Sequence, residues 1–169
     1  MTKKVIALLL CALPIFAAAQ IKLGHTNSDE LIMAMPEMIG IERELEQLRN
    51  SLEAEFQEKH DIFIAQFTEF QERQSVMPEN LRAMREQELI ESEQRINEFI
   101  QQADAELEQR RQELLVPVLE RIINAVEAVG TEHGFIYIFD LAAHSILFLS
   151  PAAHDVTPLV KAKLGIVVQ

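Results

Sequence analysis

The chain has 169 residues with 27 acidic and 15 basic side chains, a net charge of −12 with histidine neutral. That balance argues against nucleic acid and against an anionic membrane surface as partners. A single cysteine, Cys11, excludes an internal disulfide and a cysteine-rich metal site.

Lys3 and Lys4, the apolar run from Val5 to Phe16 and the small residues Ala17, Ala18 and Ala19 read as a secretory leader over residues 1–19, cleaved before Gln20. The apolar run is too short for a permanent membrane span. Leu10 stands before Cys11, where acylation requires a small residue, so Cys11 is expected to leave with the leader. The mature chain then has no thiol, and without Lys3 and Lys4 its 13 basic and 27 acidic residues give a net charge of −14. An exported chain of this size without disulfides needs another source of stability, and oligomerisation is the one its size suggests.

Residues 21–27 alternate loosely and predict a short strand. Ser28 is the expected N-cap of a helix reaching Met35, with Asp29 and Glu30 near its positive end. Pro36 breaks that run and can open the next helix. From Glu37 to about Ser75 apolar residues recur at steps of three, four and seven, through Ile41, Leu45, Leu48, Leu52, Phe56, Phe63, Phe67 and Phe70. Such steps are the seam of a coiled coil. Pro78 interrupts the pattern and suits the first turn of a return helix carrying Leu81, Met84, Leu89, Ile96, Ile100, Ala103, Leu107 and Leu114. These segments predict an antiparallel helical hairpin, an arm over residues 37–116 with its tip near 76–80. A helix from 37 to 75 would be about 58 Å long. Folding the chain back at residue 77 brings Glu37 opposite Val116 and Pro117. Pro117 is therefore the expected joint that turns residues 118–133 into a body built from 20–36 and 117–169. Gly130 and Gly134 offer stops for this helix.

Phe135 to Phe139 and Ile146 to Leu149 are apolar β-prone runs and predict a hairpin buried on both faces. Asp155 is the expected cap of a short helix through Lys163, stopped by Gly165. The expected fold is α+β: a long antiparallel coiled-coil hairpin on a small β-sheet association body. One subunit cannot cover both faces of so apolar a sheet, so Ile21, Leu23, Phe135, Tyr137, Phe139, Ile146 and Phe148 are expected to meet copies of the chain.

Reactive constellations are missing from the sequence. Five scattered glycines form no phosphate-binding loop, and the five histidines have no metal-ligand spacing. The many glutamates read as solvated helix faces rather than acid–base pairs. No catalytic residue, cofactor, nucleotide or metal is expected.

The opening Gly24-His25-Thr26-Asn27-Ser28-Asp29-Glu30-Leu31, followed by Met35-Pro36-Glu37, resembles the strand-to-helix start of the Skp/OmpH family. Gly134, Tyr137 to Asp140, Ile146-Leu147-Phe148, Pro151, and Asp155-Val156-Thr157 leading to Val160 and Leu164 resemble its closing segment. The resemblance spans essentially the whole mature chain. It implies a homotrimeric, trimeric-bodied chaperone of the Gram-negative periplasm, without nucleotide or catalytic residues, whose arms enclose a cavity for unfolded outer-membrane proteins. One departure stands out. The best-known members have basic arms, whereas residues 37–133 here carry 23 acidic and 10 basic side chains. Electrostatic capture of acidic clients and a lipopolysaccharide-binding basic cluster are not carried over.

Client contacts are expected where apolar residues exceed what a narrow two-helix seam can use. Ile62 and Ile64 flank Phe63, and Ile90 lies outside the heptad positions at a similar level. Phe67, Phe70, Met77 and Met84 extend the zone toward the tip. Phe63, Phe67 and Phe70 read first as seam residues; Ile62, Ile64 and Ile90 fit seam thickening and client contact equally. The competing reading is a non-catalytic structural or adaptor coiled coil of the cell envelope. An exported enzyme would need a nucleophile and base that the sequence does not offer.

Overall fold

The computed structural model describes residues 21–166; the expected leader over 1–19 lies outside the described residues. In chain order the elements are β1 (Leu23–Thr26), α1 (Ser28–Ala34), α2 (Met38–Arg73), α3 (Glu79–His133), β2 (Tyr137–Asp140), β3 (His154–Asp155) and α4 (Thr157–Leu164).

The arm forms as its periodicity predicts. Helix α2 runs 36 residues and α3 runs 55, about 54 Å and 82 Å at 1.5 Å per residue. Between them Pro78, with ψ 145°, is the N-cap of α3, so its missing N–H costs no helical hydrogen bond. Arg110 of α3 bonds Glu44 of α2 (Nε to Oε1, 2.8 Å), and Arg121 pairs with Glu37, both consistent with the antiparallel register at the body end of the arm. Helix α3 runs through Pro117 to Gly134, which ends it in the left-handed region at φ 69°. Gly130 remains inside the helix.

Pro117 marks a change in burial. Immediately after it, Val118, Ile122, Ala125 and Val129 are buried at steps of four, three and four, and they form the core with Leu31, Met35, Ile41, Val156 and Val160. A helix that is solvated along the arm thus becomes one wall of a packed body. Leu119 and Ile123 of the same segment are exposed.

The sheet differs from the expected hairpin. It has three parallel strands in the order β2-β1-β3. Leu23 to Thr26 align with Tyr137 to Asp140, and Gly24 and His25 align with His154 and Asp155. Residues 146–149 form no strand, and the sheet is not buried on both faces: Leu23, Tyr137 and Phe139, on one face, are exposed, while Gly24 and Thr26 on the other are buried. The link 141–145 lacks the Asn-Gly or Asp-Gly chemistry of a tight hairpin. The carboxylate of Asp140 is also engaged elsewhere, accepting from Ser28 N–H (3.0 Å), Ser28 Oγ (2.6 Å) and Ala142 N–H (3.0 Å).

Those bonds also correct the cap of α1. Asn27, not Ser28, is the N-cap, accepting from Glu30 N–H at 3.3 Å, while Ser28 ties the helix start to the end of β2. Burial pushes the Asp140 carboxyl up, but the bonds from Ser28 and Ala142 outweigh it and hold it below the usual carboxylate range. Asp155 behaves alike: its N–H bond from Thr157 (2.9 Å), with His25 and Lys161 nearby, overrides desolvation. Val156 is the formal cap of α4, and Asp155 supplies the acceptor expected of it.

Candidate functional site

Among the described residues no three His, Cys, Asp or Glu side chains gather to hold a metal, and no helix is long and apolar enough to cross a membrane. The feature the fold leaves unresolved is apolar surface, in two places.

On the arm, two helices can bury only the stripe each turns toward the other. Phe63, Phe70 and Met77 lie half-buried in that seam. Ile62, Ile64, Phe67, Met84 and Ile90 lie outside it, with 51%, 44%, 41%, 50% and 45% of their surface exposed. Phe67 is therefore no seam residue, although its ring stacks on Phe63 with centroids 6.0 Å apart. Ile100, expected in the seam, is also exposed. Phe99 takes its place beside Phe56 and Ala103. The step from Ile96 to Phe99 to Ala103 keeps the heptad rhythm and was the available signal. Val76 at the tip is a further exposed apolar residue that the sequence pattern did not single out.

The arm has two unlike faces. Arg49, Glu53, Phe56, Ile100 and Asp104 line a groove on one of them. Helical steps of three and four extend that face from Glu53 through His60 and Ile64 to Phe67, and along α3 through Glu86, Ile90, Glu93, Asn97, Ile100 and Asp104. The opposite face has a groove lined by Lys59, Ile62, Gln66, Ser92, Arg95 and Ile96. There the cations are matched, Lys59 with Glu55 at 3.3 Å and Arg95 with Glu91 at 3.9 Å. Nearer the body Arg110 bridges Glu44 and Glu113. Hydrogen bonds from Gln109 and Arg110 hold the Glu113 carboxyl below its ordinary range, and those from Arg110 to Glu44 and Glu113 raise the guanidinium further.

On the body, Leu23, Tyr137 and Phe139 share one sheet face, and the rings of Tyr137 and Phe139 stack with centroids 6.0 Å apart. Ile21, two residues before Leu23, is also exposed. Leu147 and Phe148 are 99% and 81% exposed. Phe135 and Ile146 are half-buried, Phe135 beneath the ammonium of Lys22 at 4.1 Å. Strands β2 and β3 each leave one side without a neighbouring strand among the described residues.

The family model described as outer membrane protein (OmpH-like) matches residues 22–164. No curated protein matches the sequence. Among solved structures, the chain is similar to a Caulobacter crescentus protein described as a candidate outer membrane chaperone (OmpH-like). The two are 14% identical, and the alignment covers 86% of this chain and 85% of the other with a TM-score of 0.67. At that identity the likeness concerns the fold, a helical hairpin on a small β-containing body.

Proposed function

The chain belongs to the OmpH-like family, and on that premise we propose that it is an ATP-independent holdase chaperone of the periplasm. It binds unfolded outer-membrane proteins in a cavity between helical arms and prevents their aggregation before membrane insertion. The carrying observation is the set of apolar side chains that the two-helix seam leaves in solvent: Ile62, Ile64, Phe67, Met84 and Ile90, joined by Ile100. Clients that share only unfoldedness call for exposed, adaptable apolar surface, not for one shaped pocket.

The proposal includes a homotrimer. Its support is the apolar face of Leu23, Tyr137 and Phe139, the projecting Leu147 and Phe148, and the open strand edges, a combination that copies of the chain could cover. Pro117, one residue before the buried Val118, is the proposed joint between arm and body. Nucleotide, cofactor, nucleic acid, lipopolysaccharide and catalysis have no part in this reading.

The test dilutes a denatured β-barrel membrane protein into buffer with mature protein, without nucleotide, and follows light scattering. Suppression at roughly one trimer per client is expected. Undiminished scattering would instead favour the structural or adaptor reading, in which the arm serves one defined partner.

A further inference from the structure

We propose that the arm face carrying Ile64, Phe67, Ile90 and Ile100 selects unfolded segments in which apolar side chains are interspersed with Lys and Arg. This inference rests on the holdase reading and names the class of chain held.

The face is apolar and anionic at once. Along α3 its residues read Glu86, Ile90, Glu93, Asn97, Ile100 and Asp104, with Glu53 across the groove from the last two. None of these four carboxylates makes an ion pair among the described residues. Arg49, which lines the same groove, pairs with Glu46 at 3.2 Å instead. Residues 37–116 hold 20 acidic and nine basic side chains, and seven of the nine basic ones are matched to glutamates: Arg49, Lys59, Arg73, Arg82, Arg85, Arg95 and Arg110. Matched pairs such as Lys59 with Glu55 and Arg95 with Glu91 lie on the face of Ile62.

The occupant follows from desolvation. A neutral apolar segment lying on Ile90 and Ile100 strips water from Glu86, Glu93 and Asp104 without replacing it, which is costly. An acidic segment adds like-charge repulsion. A second copy of the arm brings its own net charge of −11 over residues 37–116 and is disfavoured for the same reason. A segment carrying both apolar and basic residues covers the isoleucines and answers the carboxylates. Seven helical residues separate Glu86 from Glu93, about 10 Å, which an extended client crosses in roughly three residues. Basic residues about three apart, with apolar ones between, fit this row.

The experiment uses intact mature protein and two fluorescent unstructured peptides with identical apolar residues, one bearing Lys and the other Glu at the remaining positions. Binding is measured by anisotropy at low and high salt. The Lys peptide is expected to bind roughly tenfold tighter at about 20 mM salt, and the gap to fall below about twofold at about 500 mM. Glu53→Gln, Glu86→Gln, Glu93→Gln and Asp104→Asn together should abolish the preference at low salt. Glu58→Gln, Glu98→Gln and Glu106→Gln, which lie off this face, should preserve most of it. Equal binding of the two peptides by the unaltered protein, or equal loss in both variants, overturns the inference. The peptide comparison on unaltered protein can overturn the inference even if a variant folds poorly. Scattering suppression in the same preparations separates the two readings: a protein that holds the denatured barrel without peptide preference loses only this inference, whereas one that holds neither loses the holdase reading too.

Discussion

Gly24 sits in the central strand without needing glycine's backbone freedom, since its φ is not positive. It is needed for its size. A Cβ there would stand 2.9 Å from Val156 Cγ1 and 3.1 Å from two carbons of the Phe135 ring, and Val156 is buried. Gly24→Ala therefore forces β1 away from α4 or shifts Val156. Such overpacking costs about 1–3 kcal/mol, offset by about 0.4–1 kcal/mol from the lower entropy of the unfolded chain. The net loss of about 1–2 kcal/mol should lower the melting temperature by roughly 2–8 °C in a chain of this size. The assay is thermal unfolding by circular dichroism at one protein concentration, so that subunit association is held fixed. Val156→Ala removes the offending methyl, so the double variant should lose less than the two singles together, with a coupling of about 1 kcal/mol. An unchanged midpoint for Gly24→Ala, or strict additivity in the pair, would refute the close approach of β1 to α4.

Ser28→Ala removes one of the bonds that hold Asp140 below its usual range and should cost about 1–2 kcal/mol at neutral pH. Because the folded carboxyl is depressed, its stabilisation is complete above the ordinary value near pH 4 and is lost as pH falls through the folded one. Melting curves from pH 7 to 2.5 should therefore converge for Ser28→Ala and unaltered protein at the acid end; parallel curves would contradict the linkage. Pro117→Ala restores an N–H facing the Glu113 carbonyl and removes a penalty of up to about 3 kcal/mol. Slower amide exchange around residues 113–121 and a narrower range of client sizes are expected, and an unchanged range counts against the joint. Leu147→Asp with Phe148→Asp touches side chains that are exposed in the subunit, so its folding should change by less than about 0.5 kcal/mol. Sedimentation should nonetheless show monomers with full helix content; an intact trimer would remove these residues from the association surface.

The arm was legible because its seam repeats at helical spacing over ten turns, and because Pro78 is compatible with only a few places in a helix. The body was only partly so. Phe135 to Phe139 and Ile146 to Leu149 are both apolar, and their local sequence does not say whether they pair with each other or with β1. Strand β3 carried no signal: His154 and Asp155 have low strand propensity, and they are held against β1 because Val156 and Val160 anchor the following helix in the core. That constraint is tertiary. The exchange of roles between Phe99 and Ile100 has a similar origin. Both are apolar and adjacent, and only the register against Phe56 decides which one turns inward. Likewise Asn27 and Ser28 are both good caps, and Asp140, 112 residues away from Ser28 in the chain, claims the serine.

A limb of two helices cannot bury its own flanks, so the surface that would hold unfolded chains is also a surface on which limbs could stick together. On the holdase reading, charge meets both demands. The unmatched carboxylates Glu86, Glu93 and Asp104 in the row with Ile90 and Ile100 make one arm a poor partner for another, while the same carboxylates become favourable contacts once a basic segment supplies the missing cation. The arrangement has a built-in range. At physiological salt the screening length is about 8 Å, shorter than the row from Glu86 to Asp104, which spans about 27 Å along the helix. Each carboxylate therefore acts on the few client residues beside it and not on the client's net charge. An arm of this kind sorts segments rather than whole proteins, and a client with a negative total charge can still be held through a locally basic, apolar stretch.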